Sequence, residues 1–276
     1  MADSSEWHSV RRGRGTTRKG KLSQPHRTQD EAVDRQRDKR RITEAINELR
    51  CEDFWPGWKE IMSGCLAEIE DKTVEGTDCF MECVCYGLGN FSSSVSARYQ
   101  LAMLLLLLDA LQIAVVQCSL YDPVFTVSEC ETLRELGFNV LSENEEGKRA
   151  VRHPTLFYLM HCGKALYNNL LWKNWSSQVL PKVIIIGNSF LGIQERMLQR
   201  ELDRDYSFLS DVTDVCEETS LPCSQRFLDV FNDTAVIRFP PHKLHKLPES
   251  IWYEPSEPQY EHCQDLEIIQ QVRKPK

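Results

Sequence analysis

Two glycines one residue apart open the part of this sequence that could do chemistry. They lie in Gly87-Leu88-Gly89-Asn90-Phe91-Ser92. Glycine turns tightly and lets a ligand approach the backbone closely. A helix starting just after it would offer free N–H groups and a positive dipole end to a phosphate or carboxylate. Ser92, Ser93 or Ser94 could cap that helix. The third glycine of a dinucleotide fingerprint is missing, so a turn that needs glycine for geometry alone suits the run equally well. Asp122 lies 33 residues past Gly89. The acid that takes ribose hydroxyls is expected about 20 residues past such a fingerprint, at the end of the second strand. Asp122-Pro123 therefore reads better as a cap or turn. His161 and Cys162 follow an apolar run, and either could act as base, nucleophile or metal ligand. Neighbours on a strand face opposite ways, so both reach one ion only if the chain has already turned. His161 ranks first as acid/base candidate, with a backbone-bonded structural histidine as the bland alternative. Asn188 and Ser189 follow the most β-branched run, Val183 to Ile186.

Other groups carry less. Cys79, Cys83 and Cys85 give C-x3-C-x-C, but structural zinc sites pair two such knuckles and no second one is present. Buried thiols are expected, and no metal site is assigned. No Cys-Pro dipeptide, a short haem-responsive signature, occurs. Lys148 and Arg149, beside Glu143, Glu145 and Glu146, could hold an anion; a solvated loop is the default. Asn168 and Asn169 are unusual inside a helix, which suggests hydrogen bonds to a loop or ligand.

These residues fall at the ends of short apolar runs. Phe80 to Tyr86, Ile113 to Cys118, Phe138 to Leu141, Thr155 to Met160 and Val183 to Ile186 read as strands. Helical stretches alternate with them: Ser92 to Leu111, Ser128 to Leu136, Lys164 to Trp175, and one from Phe190 through about Leu202. That alternation predicts an α/β fold, a Rossmann-like, largely parallel sheet with helices on both faces. Ligands of such sheets bind outside the carboxyl ends of the strands. Gly87, Gly89, Asn90, Ser92, Asp122, His161, Cys162, Asn188 and Ser189 are thus expected to converge on one rim. An interrupted helical segment, Ile42 to Ile69, precedes the sheet. Gln225 to Phe231 reads as helix, and Ala235 to Phe239 as an edge strand.

Composition bounds the rest. The chain has 276 residues, 41% hydrophobic and 27% charged, with net charge −8. Residues 1–41 carry +6 and the remainder −14. The expected organisation is a disordered basic tail over 1–41, one α/β domain over 42–250 and a mobile tail over 251–276. The basic tail could touch nucleic acid or an import receptor. No apolar stretch opens the chain, and the longest apolar run, Leu101 to Leu108, is too short for a bilayer. Membrane insertion is not expected. Eleven cysteines without an export signal predict reduced thiols in the cytoplasm, or also the nucleus.

Five ordered blocks resemble one family. They are Cys85 to Phe91, Tyr121-Asp122-Pro123-Val124-Phe125, Glu146-Gly147-Lys148-Arg149, Leu166 to Trp172, and Gly187-Asn188-Ser189-Phe190. Together they resemble the "sensitivity to red light reduced" (SRR1) family over roughly residues 45 to 240. The family pattern has Pro-His-Cys; here Met160 precedes His161-Cys162. The resemblance implies a cytoplasmic regulatory role in biological rhythms and haem biosynthesis, with microtubule-related processes in fungal relatives. It brings no established reaction or catalytic residue. Three readings follow: a regulator working through a small ligand or a protein partner, a nucleotide- or S-adenosylmethionine-dependent enzyme, and a haem or metal sensor using His161 with a thiol. Nucleotide, S-adenosylmethionine and haem are the candidate cofactors.

Overall fold

The computed structural model describes residues 25–70, 81–253, 255–261, 263, 266 and 268. Two helices, α1 (Pro25–Arg50) and α2 (Trp55–Glu70), precede β1 (Glu82–Tyr86). Then follow α3 (Val95–Ala110), β2 (Cys118–Tyr121), α4 (Val127–Glu135), β3 (Asn139–Val140), β4 (Thr155–Leu159), α5 (Lys164–Lys173) and β5 (Val183–Asn188). Three short helices come next: α6 (Phe190–Arg196), α7 (Gln199–Asp205) and α8 (Ser207–Thr213). The chain closes with β6 (Glu217–Ser220), α9 (Leu228–Phe231), β7 (Thr234–Arg238) and α10 (Pro241–Leu244).

The described strands form one seven-stranded sheet in the order β3-β2-β1-β4-β5-β7-β6. The first five are parallel, and β7 runs antiparallel between β5 and β6. Side chains alternate between two cores, as the twofold period of a strand requires. Cys83, Cys85, Cys118, Leu120, Leu156, Tyr158, Ile184 and Ile186 face the helices α1 to α4 and α9. Val84, Tyr86, Phe157, Leu159, Val183 and Ile185 face α5 to α8. Burial on both sides explains why these strands read as continuous apolar runs.

Several boundaries differ from the sequence reading. The second strand is not Ile113 to Cys118. Val116 is 70% exposed and Val115–Gln117 forms a 3-10 turn, so the strand is Cys118–Tyr121. Ser119, polar but buried, accepts from the Asn139 side chain at 2.9 Å. Residues 25–41 are helical rather than disordered, as part of α1. Arg35 pairs with Glu131 at 2.7 Å and with Glu135 at 3.1 Å, and Lys39 also pairs with Glu135. Lys39 and then Arg35 hold the Glu135 carboxyl low. A basic helix thus lies on an acidic one about 100 positions away, and local composition cannot reveal that. Residues 1–24 and Cys79 lie outside the described residues. The helix expected to run to Leu202 breaks at Met197 and Leu198, whose backbones are extended. β7 is an inner strand. The edge is β6, which has no apolar residue and so escaped notice; polar edges of this kind resist pairing with other chains.

Described residues of the segment expected as a mobile tail are also packed. The Trp175 indole donates to the Ile251 carbonyl at 2.7 Å, and the Trp172 indole to that of Pro255 at 3.0 Å. Tyr260 reaches α5, where its hydroxyl donates to the Asn169 side chain at 2.7 Å.

No disulfide links the described cysteines. Burial, with Cys83 beside them, pushes the Cys85 and Cys118 thiols well above their ordinary range. At mildly alkaline pH, iodoacetamide should label exposed Cys51 in the folded protein and spare Cys83, Cys85 and Cys118 until urea unfolds it. Peptide mass mapping checks this, and label on Cys85 before unfolding would contradict the packing.

Candidate functional site

The chain leaves β1 for β2 and β3 on one side, and crosses back for β4 and β5 on the other. The rim between β1 and β4 is therefore a switch point, where a crevice opens in sheets of this kind. A cavity of about 380 Å³ lies there, lined by Tyr86, Gly87, Tyr121, Asp122, Pro123, Asn144, Gly147, His161, Cys162, Gly163, Leu166 and Ile268. That is within the usual size range of small-molecule sites.

Four of the nine residues singled out from the sequence line it: Gly87, Asp122, His161 and Cys162. Gly87 and Gly89 both take positive φ, +66° and +81°. At Gly87 close approach matters too, because a Cβ would stand 2.6 Å from the Cys162 sulfur. Asp122 directly follows β2, so Ser119-Leu120-Tyr121 belongs to the strand and does not delay it. Its side chain is buried and accepts from the Gly89 N–H at 2.7 Å and the Val124 N–H at 2.9 Å. The second bond is the turn expected of Asp-Pro. The first ties the β2 end to the glycine loop. Each carboxylate oxygen keeps a free lone pair.

His161 and Cys162 diverge. His161 sits at φ +51° and its Nε2 is 2.9 Å from the Val230 carbonyl. A carbonyl only accepts, so Nε2 carries the proton. The Cys162 thiol turns toward the Tyr86 carbonyl at 3.3 Å, on the other face of the sheet. A joint His161–Cys162 ligand pair does not fit these directions.

The remaining candidates are engaged by the protein itself. The Asn90 side-chain oxygen accepts from the Ser93 N–H at 3.0 Å. The Ser92 N–H donates to Glu129 at 2.9 Å and its hydroxyl to Asp38. Ser94 is the residue that caps α3. Asn188 donates to the Cys162 carbonyl at 3.0 Å and so supports the cavity wall from behind. Ser189 caps α6 and bonds Glu218, whose carboxylate also takes the Phe190 N–H at 2.8 Å. The helix start expected to await an anion is thus partly supplied with the chain's own oxygens.

Tyr86, Tyr121 and Gly147, which fall within the family blocks, and Asn144 carry no site role in the sequence reading, yet they line the cavity. The loop joining β3 to β4 brings the last two over the rim. The Tyr86 hydroxyl donates to Glu145, and burial with this carboxylate raises its pKa. Arg149 pairs with Glu145 at 2.9 Å, and Lys148 with Glu146 at 2.6 Å and Glu257 at 2.8 Å. The loop is therefore not merely solvated, and its two cations are committed to carboxylates. Asn169 donates to the Glu146 carbonyl at 2.8 Å, and Asn168 accepts from the Leu209 N–H at 3.1 Å. Asn169 thus serves a loop, as its placement suggested, while Asn168 serves the first turn of helix α8. The usable signal was Gly147, whose φ of +77° and closeness to the Leu166 carbonyl forbid a side chain.

With this geometry established, comparison with known proteins places the chain. The SRR1 domain model matches residues 65–238. The mouse SRR1-like protein is 40% identical over 235 residues, covering 75% of this chain and 94% of the mouse protein. The Arabidopsis thaliana protein SENSITIVITY TO RED LIGHT REDUCED 1 is 30% identical over 177 residues, 63% of this chain and 64% of the plant protein. The Drosophila melanogaster SRR1-like protein is 35% identical over 161 residues, 58% of this chain and 56% of the fly protein. The chain thus spans less than two thirds of the plant and fly relatives. No solved structure matches it. The resemblance seen in five separated blocks therefore holds across the domain, and the chain belongs to the SRR1 domain family.

Proposed function

We propose that this protein is a cytoplasmic regulator whose activity depends on a small ligand, of nucleoside size, held at the rim between β1 and β4. The observation that carries this reading is the cavity itself. It gathers Gly87, Asp122, His161 and Cys162 from three strand ends at the switch point. Thiols unlinked by disulfide throughout the described chain agree with a reducing compartment. The plant relative's name ties it to red-light sensitivity. By family, the process regulated is light- or rhythm-related, with haem biosynthesis as a second output. Among the described residues lining the cavity, His161 and Cys162 turn apart, which favours regulation over turnover.

A thermal-shift panel of S-adenosylmethionine, adenosine, ATP, NAD and haem tests the reading. A ligand at 100 times its dissociation constant stabilises by about 2.7 kcal/mol, or roughly 5 °C or more at this chain length. At least one nucleoside-type compound should do so, and the shift should vanish in Gly87→Val, whose side chain would crowd Cys162 at the cavity wall. A flat panel would end the proposal.

One observation favours a second reading, an S-adenosylmethionine-dependent enzyme. The antiparallel β7 lies between β5 and β6 beside five parallel strands in the order 3-2-1-4-5. That is the strand arrangement of S-adenosylmethionine-dependent methyltransferases, an argument from fold alone. Methyl transfer from labelled S-adenosylmethionine to protein or small-molecule acceptors would decide for it.

A further inference from the structure

We infer that the cavity takes a nucleoside-type ligand without phosphate, neutral or cationic, and turns away nucleoside phosphates. This narrows the ligand reading above and rests on it. A pyrophosphate in a parallel α/β sheet is held by backbone N–H groups of the loop after the first strand and by the next helix's N-terminus. Here several of those donors are used. The Gly89 N–H donates to Asp122 at 2.7 Å, the Ser92 N–H to Glu129 at 2.9 Å, and the Ser93 N–H to Asn90 at 3.0 Å. The Ser94 N–H donates to the Asn90 carbonyl at 2.9 Å, and Ser94 in turn caps the Ala97 N–H.

Two of these acceptors are carboxylates, and a third, Asp38, bonds the Ser92 hydroxyl. A phosphate brought to this loop would meet like charge where the usual design offers positive dipoles. No lysine or arginine is among the described residues lining the cavity. Cations in the neighbouring segments are committed: Lys148 to Glu146 and Glu257, Arg149 to Glu145, and Arg98 to the Ser92 carbonyl at 3.2 Å, while the Lys164 ammonium lies over the Tyr206 ring.

What the cavity does offer suits the rest of a nucleoside. Asp122 is only 8% exposed, is fixed by two backbone donors, and keeps a lone pair on each oxygen. It stands at the end of the second strand, where an acid receives the ribose diol. Tyr86, Tyr121, Pro123 and Leu166 supply ring and aliphatic surface for a base. An unbalanced carboxylate also favours a positive ligand. An adenosyl sulfonium and a free nucleoside share the chemistry required.

Calorimetric titration of the full chain tests this with adenosine, S-adenosylmethionine, 2′,3′-dideoxyadenosine, ATP and NAD. Adenosine or S-adenosylmethionine should bind about 30-fold or more tighter than ATP and NAD. The dideoxy compound should bind about tenfold or more weaker than adenosine, the loss expected for hydroxyl bonds to a charged acceptor. Asp122→Asn should weaken adenosine by a similar factor. Because the dideoxy comparison uses the unaltered chain, a folding defect in the variant does not blunt the test. Tightest binding by S-adenosylmethionine points to the sulfonium source, and equal binding by adenosine to the free nucleoside; both support the inference. ATP or NAD binding as tightly as adenosine would overturn it while leaving the ligand reading intact. Failure of all five compounds would sink that reading itself.

Discussion

Ending the chain at residue 250 is expected to lower its melting temperature by about 10–20 °C. The removed segment supplies the acceptors for two indoles, those of Trp175 at 2.7 Å and Trp172 at 3.0 Å. It also supplies Trp252, whose ring lies 5.2 Å from that of Trp175. Tyr260 is lost as well, and its hydroxyl satisfies the buried side chains of Asn169 at 2.7 Å and Asn168 at 3.2 Å. Each hydrogen bond is worth about 1 kcal/mol net, and burying a large side chain about 1.5–3 kcal/mol. The sum is on the order of 5 kcal/mol, a large part of the 5–15 kcal/mol typical of a domain. At roughly 2–4 °C per kcal/mol for this size, the stated drop follows. Circular-dichroism melts of the full and shortened chains measure it. Tyr260→Phe isolates the hydroxyl and should cost about 1–3 kcal/mol, because it leaves two buried amides short of a partner. Coincident melts would mean that the segment is not part of the folded unit.

That prediction also marks where sequence reading stops. Strands buried on both faces, such as Val183–Asn188 and Thr155–Leu159, announce themselves because both faces must be apolar. From them the parallel sheet and its carboxyl rim follow. The N- and C-terminal segments are read as tails because their own residues are polar. Their described residues pack through charge and hydrogen bonds to partners far along the chain, Arg35 to Glu131 and Trp172 to Pro255. No local window contains both halves of such a contact.

The site was legible in outline only. Position after a strand picks out Gly87, Asp122, His161 and Cys162, and these do line the cavity. It also picks out Ser92 and Ser189, whose hydroxyls are taken by Asp38 and Glu218. Residue type does not say whether a group faces outward or is already satisfied. The turn at Asp122 is legible, but the end of β2 is not, because that strand is half polar: Ser119 and Tyr121 look like loop until Asn139 and the pairing with β1 are in place. Asn144 and Gly147 reach the rim from a loop between β3 and β4, and only the third dimension links that loop to β1.

Replacing Gly87 by alanine is expected to destabilise the fold by about 3 kcal/mol, and part of that loss should disappear when Cys162 is alanine too. Two costs add at this position. The backbone is left-handed, φ +66°, which costs a residue with a Cβ about 1–2 kcal/mol. The new methyl would also stand 2.6 Å from the Cys162 sulfur, closer than any unstrained contact. That sulfur is buried and bonded to the Tyr86 carbonyl at 3.3 Å, so it cannot swing away freely. Cys162→Ala alone should cost about 1 kcal/mol for a small buried truncation. In the double variant only the backbone cost and this truncation remain, so the sum of the single losses should exceed the double loss by about 1 kcal/mol or more. Urea denaturation of the four chains measures the coupling, and additivity within about 0.5 kcal/mol would show that glycine and thiol do not meet. The coupling bears on function because both residues line the cavity. The left-handed turn brings the β1 end against Cys162, and the missing side chain is what lets the sulfur pack there.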